Sequence, residues 1–276
     1  MSISAPRYVG SSTLRLGRRQ RTLAILFREI RQLAGWGTWA VVALSYIAIV
    51  LILVIELEFG SLLGGAVTLA SFHAPYDSPI WPYLVLLVAT AVGSGCIADD
   101  LESRAIALYL SRPIRLSDYL TAKVAAVGFW VAMTAIGPAL LGVTIVGLLG
   151  LSSASVTFAA YGAFLEVGLL TTVFFTALAV TLSTLTARAL FAGVGIFGVI
   201  LSANLAAASI AGATGNTAVL YVSPVTDIEA VANAAFNTGA VTDIVPGTAA
   251  ALLIGAALIL SVVTWVRLSR VEVVGE

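Results

Sequence analysis

Long apolar runs alternate with short polar stretches along most of the chain. Six runs are long enough to cross the hydrocarbon core of a bilayer, which takes about 20 mostly apolar residues in a helix. They cover approximately Thr38–Leu57, Ile80–Ile97, Val124–Leu149, Tyr161–Thr184, Leu190–Ala211 and Thr248–Val266. This pattern predicts an all-α polytopic membrane protein with six transmembrane helices.

The composition agrees with a membrane location. Of the 276 residues, 60% are hydrophobic and only 10% are charged, whereas a soluble domain carries about a quarter charged residues. The net charge is zero and does not point to a nucleic-acid partner. The single cysteine, Cys96, excludes an internal disulfide and a multi-cysteine metal site. We therefore expect the lipid bilayer as a partner, and neither nucleic acid nor a metal.

The positions of the basic residues predict the orientation. All 14 Lys and Arg residues lie before the first run, between runs two and three, between runs four and five, or after run six. The other connections carry acidic residues instead: Glu56, Glu58, Asp77, Asp227, Glu229 and Asp243. Because basic residues accumulate on the cytoplasmic side, we expect a protein of the cell membrane with both termini in the cytoplasm.

Residues 1–36 are predicted to form a cytoplasmic basic tail and an amphipathic helix. The apolar residues recur at helical spacing between residues 20 and 34, with arginines off that face; they are Leu23, Leu26, Phe27, Ile30 and Leu33. This is typical of a helix lying in the membrane interface, whereas a disordered tail fits residues 1–17 better. The arginine-rich start and the long first run are not typical of a signal peptide. Residues 37–276 are then a single six-span domain.

The connection over residues 212–247 is too long for a plain loop. Thr226 and Glu229 have the spacing of a capping box and follow Pro224. One apolar face follows, made of Ile228, Val231, Ala232, Ala235 and Phe236. We expect a short amphipathic helix at the extracytoplasmic side.

The connection over residues 98–123 is the most polar segment between two spans. An acidic start is followed by an amphipathic pattern, and Pro113 then favours a corner because it disfavours helix at Arg112. Ser117 is a candidate N-cap for a second helix, with Asp118 in its first turn. The segment predicts a short helix, a fixed corner and a second helix start. A solvated hairpin lying on lipid headgroups is the simpler alternative.

The segment "DDLESRAIALYLSRPIRLSDYLTAK" resembles the cytoplasmic loop of membrane subunits in the type-2 ABC transporter family, the exporter-type permeases. The matching residues are Asp99, Asp100, Leu108, Tyr109, Ser111, Arg112, Pro113, Asp118, Tyr119, Leu120 and Lys123. Ala122 stands where that pattern usually has glycine. The N-terminal helix, six spans and the helical insertion before the last span also match the family plan.

The resemblance implies that residues 99–118 form a coupling helix that docks on a separate cytoplasmic ABC ATPase. The coupling residues would be Asp99, Asp100, Glu102, Arg104, Leu108, Tyr109, Arg112, Pro113, Arg115 and Asp118. The chain would be the permease subunit of an ATP-driven exporter and not itself an enzyme. It would pair with a second permease, either an identical copy or a related chain. It contains no Gly-x-x-x-x-Gly-Lys-Ser/Thr loop, so ATP and Mg are expected on the partner ATPase and no cofactor on this chain.

Polar residues inside the spans offer few candidates for a substrate pathway. Glu166, about six residues inside the outer end of the fourth run, and Asn204 in the fifth are the two candidates, because intramembrane polar groups usually face a cavity or a partner. Pro138 beside Gly137 predicts a kink in the third span. The glycine pattern from Gly193 to Gly198 lies inside an apolar run and indicates close helix packing.

Two other functions stay open at this point. An ion-coupled secondary transporter or channel would work without an ATPase, but the scarcity of intramembrane charge disfavours it. A structural membrane scaffold would make residues 98–123 a helix on the lipid surface.

Overall fold

The computed structural model describes residues 18–62, 65–77, 80–103, 115–239 and 243–273. Within these ranges the chain forms helices and turns and no strand. The helices are α1 Arg18–Leu33, α2 Trp36–Leu62, α3 Ala74–Asp77, α4 Ile80–Gly93, α5 Ala98–Glu102, α6 Leu116–Ala135, α7 Gly137–Leu148, α8 Ala154–Leu185, α9 Ala189–Thr214, α10 Pro224–Ala235 and α11 Pro246–Val273.

Six helical stretches in the described residues are long and apolar enough to span a membrane, so the chain is a multi-pass all-α membrane protein, as predicted. They run over Trp36–Gly60, Ile80–Glu102, Leu116–Leu148, Ala154–Leu185, Ala189–Thr214 and Pro246–Arg270. We call them spans 1 to 6. Several extend beyond the apolar runs because polar first and last turns remain helical.

Spans 2 and 4 form the centre of the bundle. In their most apolar windows 61% and 67% of the residues are buried, against 17% in span 5. Gly93 of span 2 lies against Ala179 of span 4 so closely that a side chain at Gly93 would overlap the Ala179 Cβ atom. Small residues allow this approach of two backbones, which is a common basis of helix packing in membranes.

Span 3 is broken in the middle. Helix α6 ends at Ala135, Ile136 adopts a turn, and α7 begins at Gly137 with Pro138 in its first turn. Proline has no N–H to donate to the preceding turn, and Gly137 leaves room for the Tyr46 hydroxyl of span 1. The predicted kink is therefore confirmed.

Helix α1 confirms the predicted helix at residues 20–34. It packs along α6, and the indole Nε1 of Trp130 donates a hydrogen bond to the Ile30 carbonyl at 3.2 Å. Only part of the predicted apolar face is covered by protein. Ile30 and Leu33 pack against the core, whereas Leu23 and Phe27 are exposed and are available to contact lipid.

We call the end of the bundle that holds α1, α5 and the start of α6 the basic end. The opposite end, with residues 65–77, 215–239 and 243–245, is the acidic end. At the acidic end, two 3₁₀ helices, Leu69–His73 and Thr217–Val222, accompany α3 and α10. Phe236, Tyr76 and Phe164 pack there as an aromatic cluster.

The predicted helix in the last long connection is confirmed, but its predicted cap is wrong. Helix α10 begins at Pro224, and the Ser223 hydroxyl accepts the hydrogen bond from the Thr226 N–H at 3.2 Å. Proline fits the first helical position because its missing N–H would be unpaired there. The predicted apolar face is buried at Ile228, Val231, Ala232 and Phe236, and Ala235 is half-buried.

Candidate coupling site at the basic end of the bundle

The structure describes five of the ten predicted coupling residues. Asp99, Asp100 and Glu102 lie in α5, which follows α4 after a turn at residues 94–97, and Arg115 and Asp118 lie at the start of α6. The other five lie outside the described residues: Arg104, Leu108, Tyr109, Arg112 and Pro113. The predicted corner at Pro113 therefore stays a prediction.

The predicted N-cap of the second helix is displaced. Helix α6 is capped by the extended residue Arg115, and Ser117 lies within its first turn. The Arg115 carbonyl accepts hydrogen bonds from the N–H groups of both Asp118 and Tyr119. The first turn therefore closes on Arg115. Asp118 does lie in that turn, as predicted, where a negative charge is favourable.

The acidic start of the segment divides into exposed and inward-facing groups. Asp99 and Glu102 are exposed, and so is Arg115. Asp100 faces the protein, and only 17% of its side chain is exposed. The exposed residues are thus accessible to a partner, whereas Asp100 has a role within the fold.

Asp100 belongs to a buried charge cluster that we define as Glu29, Asp100, Tyr119 and Lys123. The Lys123 Nζ atom lies 2.8 Å from Glu29 Oε2 and 2.9 Å from Asp100 Oδ2. The Tyr119 hydroxyl donates a hydrogen bond to Asp100 Oδ2 at 2.7 Å. The cluster connects α1, α5 and α6, three elements that are separate in the sequence.

The buried charge cluster is favourable only when all of its members are present. Removing charges from water costs several kcal/mol per ion, and the cost is recovered only when every charge is paired in good geometry. Here one ammonium group serves two carboxylates, and the Tyr119 hydroxyl adds a further donor. The loss of Lys123 would leave two unpaired buried carboxylates, so α1, α5 and α6 are held in one arrangement.

Ser183 of α8 fixes the same segment to the centre of the bundle. Its hydroxyl donates to the Ser94 carbonyl at 2.9 Å and accepts from the N–H groups of Ile97 at 3.0 Å and Ala98 at 2.9 Å. The N–H groups at the start of a helix have no partner within it. Ser183 therefore supplies from span 4 the cap that α5 lacks in its own sequence.

Sequence reasoning missed Glu29 and Ser183. Glu29 lies among the arginines of an amphipathic helix, and an acid beside the apolar face of an otherwise basic helix is the signal that could have identified it. Ser183 resembles any of the serines and threonines that bond to their own helix in this chain. Only its position against residues 94–98 distinguishes it.

The two substrate-pathway candidates occupy different environments. Glu166 is exposed on α8; because that helix begins at Ala154, earlier than the predicted run, Glu166 lies about 18 Å along it. Asn204 is half-buried, accepts from the Ser223 hydroxyl at 2.5 Å and donates to the Tyr83 hydroxyl at 3.4 Å. Asn204 therefore links span 5 to span 2 and to the start of α10.

A cavity of about 280 Å³ lies between α6, α8 and α11. Its walls are mostly apolar, with four hydroxyl-bearing side chains: Thr172, Thr176, Ser261 and Thr264. The Thr176 hydroxyl is buried and has no hydrogen-bond partner among the described residues. The cavity is within the spans and has the composition of a site for an apolar molecule.

Comparison with known proteins does not place the chain in a family. No protein-family model matches it, and no curated protein sequence matches it closely. The indications of function are therefore the geometry of the basic end and the sequence resemblance of residues 99–123.

Proposed function

We propose that the chain is the permease subunit of an ATP-driven ABC transporter, an exporter of the cell membrane with both termini in the cytoplasm. ATP and Mg act on a separate cytoplasmic ATPase. Two permease copies form the substrate pathway, and the sparse covering of span 5 leaves a helix face available to the second copy.

The observation that carries this proposal is the attachment of residues 98–103 and 115–123, the described parts of the segment, to two neighbouring elements. Lys123 joins it to α1 through Glu29, and Ser183 joins it to span 4. A segment fixed in this way transmits a push from a docked ATPase to spans 2, 3 and 4 together. A flexible loop between two spans would absorb such a push.

The break in span 3 fits the same mechanism. Helix α6 receives the push at the basic end, and the turn at Ile136 separates it from α7. The two halves of the span can then change their angle without unfolding either helix. Rearrangement of the spans between inward-facing and outward-facing states follows from repeated cycles of ATP binding and hydrolysis on the partner.

Co-purification tests the proposal directly. The full chain is purified in a mild detergent from the membranes of its own cells, as wild type and as the Leu108→Asp, Arg112→Glu double variant. The matched control is Arg188→Glu, a charge reversal in another connection at the same end. The measurements are ATP hydrolysis and mass-spectrometric identification of chains with a Walker A sequence.

We expect a Walker A polypeptide and ATP hydrolysis with the wild type and the control, and loss of both with the double variant at equal membrane insertion. The proposal fails if the double variant retains the ATPase, or if the wild type brings down no such polypeptide. The latter result would favour the ion-coupled transporter or channel.

A further inference from the structure

A second cluster of polar groups lies at the acidic end, on the opposite side of the bundle from the coupling site. A cavity of about 130 Å³ lies there between α3, the start of α4 and α10. The residues that line it include Tyr76, Asp77, Trp81, Ile228 and Glu229. Its walls combine two aromatic rings with two carboxylates.

The Tyr76 hydroxyl has no hydrogen-bond partner among the described residues, although only 7% of the Tyr76 surface is exposed. Burying a hydroxyl without a partner is unfavourable, so this atom has bonding capacity that the fold does not use. The ring is held firmly: its centroid lies 4.7 Å from that of Trp81 and 5.6 Å from that of Phe236. The hydroxyl is therefore a preorganised partner for a ligand.

The charges around the cavity favour a cation. Asp77 is exposed at its rim and pairs with His73, whose Nδ1 atom lies 2.9 Å from Asp77 Oδ1. Burial raises the pKa of the Glu229 carboxyl, while His73 lowers it and Asp77 raises it further, so a cation bound beside Glu229 would offset the cost of its burial. Residues 58–79, 150–160 and 212–247 contain no Lys or Arg. An acidic surface without Lys or Arg concentrates cations and repels anions.

The chemistry of the walls distinguishes between kinds of cation. The described residues include no group of three or more His, Cys, Asp or Glu side chains suited to a metal ion. Aromatic faces beside carboxylates are typical of sites for organic ammonium ions, since the ring faces attract a cation and cover its carbon atoms. A primary ammonium group also has N–H donors for the Tyr76 hydroxyl, which a quaternary one lacks.

We propose that this cavity binds a small primary ammonium ion, with its nitrogen among Asp77, Glu229 and the Tyr76 hydroxyl and its carbon atoms against Trp81. Such a group is carried both by free amines and by lipids with an ethanolamine headgroup. The site does not depend on ATPase coupling, so a failure of the proposed function would not contradict it.

Calorimetric titration of the purified full chain in an uncharged detergent tests the site. The ligand is ethylammonium chloride, with potassium chloride and tetramethylammonium chloride compared at equal ionic strength. The variants are Tyr76→Phe and Glu229→Gln. The matched control is Asp243→Asn, which removes an exposed carboxylate at the same end but outside the cavity.

We expect saturable ethylammonium binding that potassium does not displace. The dissociation constant should increase about tenfold in Tyr76→Phe and in Glu229→Gln, as loss of one hydrogen bond to a charged group predicts, and should stay unchanged in Asp243→Asn. Tyr76→Phe is the decisive variant because the hydroxyl that it removes makes no hydrogen bond to the described part of the chain. The proposal is overturned if wild type shows no saturable binding, if potassium competes equally, or if Tyr76→Phe binds like wild type.

Nanodiscs distinguish the two sources of the ammonium group. Phosphatidylethanolamine discs should weaken ethylammonium binding relative to phosphatidylcholine discs if a lipid headgroup occupies the cavity, whereas equal binding in both discs assigns the site to a free amine. Under either assignment Tyr76→Phe must weaken binding of ethylammonium in phosphatidylcholine discs, and unchanged binding there would contradict the site.

Discussion

Lys123 and Glu29 form an ion pair across 94 positions of sequence, with Nζ and Oε2 2.8 Å apart and only 5% of each side chain exposed. Glu29 lies in the first helix and Lys123 in the third span, so the pair fixes the N-terminal helix against the spans. Asp100 shares the same ammonium group. Helix α5 is thus connected to α1 through the Lys123 side chain.

Replacing Lys123 should strongly destabilise the fold. Lys123→Met leaves Glu29 and Asp100 buried without their cation, which predicts a loss of about 3–5 kcal/mol in the free energy of unfolding. The measurement is unfolding of the purified protein in increasing sodium dodecyl sulfate, followed by circular dichroism. Adding Glu29→Gln to Lys123→Met should restore part of the loss, because one unpaired charge is then removed. Equal stability of the Lys123→Met variant and wild type would show that the cluster does not hold these elements.

Ser183→Ala should loosen the attachment of α5 to span 4. The variant removes a hydroxyl that bonds to the backbone of Ser94, Ile97 and Ala98 and leaves two buried N–H groups unpaired, with an expected cost of about 1–3 kcal/mol. Hydrogen exchange of residues 94–103 should accelerate. Ser261→Ala is the control, because Ser261 bonds to the Ala257 carbonyl of its own helix. Equal exchange in both variants would contradict the role of Ser183.

Close packing of spans 2 and 4 predicts opposite effects for two glycine substitutions. Gly93→Ala places a methyl group on Ala179 and should destabilise the protein by about 1–3 kcal/mol through overpacking. Gly198→Ala in span 5 meets no atom within 4 Å of the added carbon and should leave stability unchanged or increase it, since alanine favours helix. Thermal unfolding of the two variants gives the comparison. A similar decrease in the stability of both variants would show that the close packing of spans 2 and 4 is not the cause.

The buried carboxyl of Asp227 should make stability depend on pH. Burial raises its pKa from 3.8 to about 7, so the folded state binds this proton more tightly than the unfolded state. The stabilisation is complete below about pH 4 and is lost as pH increases through 7. Asp227→Asn should reduce this decrease in stability between pH 4 and 8.

Glu229 also has a pKa raised by burial. The slope of stability against pH should therefore become smaller in Asp227→Asn without vanishing. The control is Asp243→Asn, an exposed carboxylate of the same end, which should keep the wild-type slope. Melting temperatures measured at intervals of one pH unit provide the test. An identical slope in wild type and Asp227→Asn would contradict the assignment.

The sequence predicted those elements whose stabilising interactions are local or with the solvent. The length of the apolar runs identified the six spans, and the helical spacing of apolar residues identified α1 and α10. Gly137 with Pro138 identified the break in span 3. The predicted helix starts were less accurate. Ser223, not Thr226, caps α10, and Arg115, not Ser117, precedes α6, because several nearby residues can satisfy the first N–H groups and the packing of the finished helix selects one of them.

The candidate site was predicted only in outline. Asp99, Asp100 and Glu102 are alike in sequence, yet Asp100 alone joins the buried cluster. The ammonium cavity was not predicted, since Tyr76 and Glu229 are 153 residues apart by their numbers and neither belongs to a recognisable motif.

The sequence by itself determined that this chain is an all-α protein of a membrane, because the transfer of apolar side chains from water depends on composition and length alone. It also determined where the helices lie, because backbone hydrogen bonds in lipid must be satisfied within each span. Only the tertiary structure decided which charges are paired. Lys123, Glu29 and Asp100 come together through the packing of three separate helices, and a buried ion pair depends on distances of a few ångströms that no local pattern encodes.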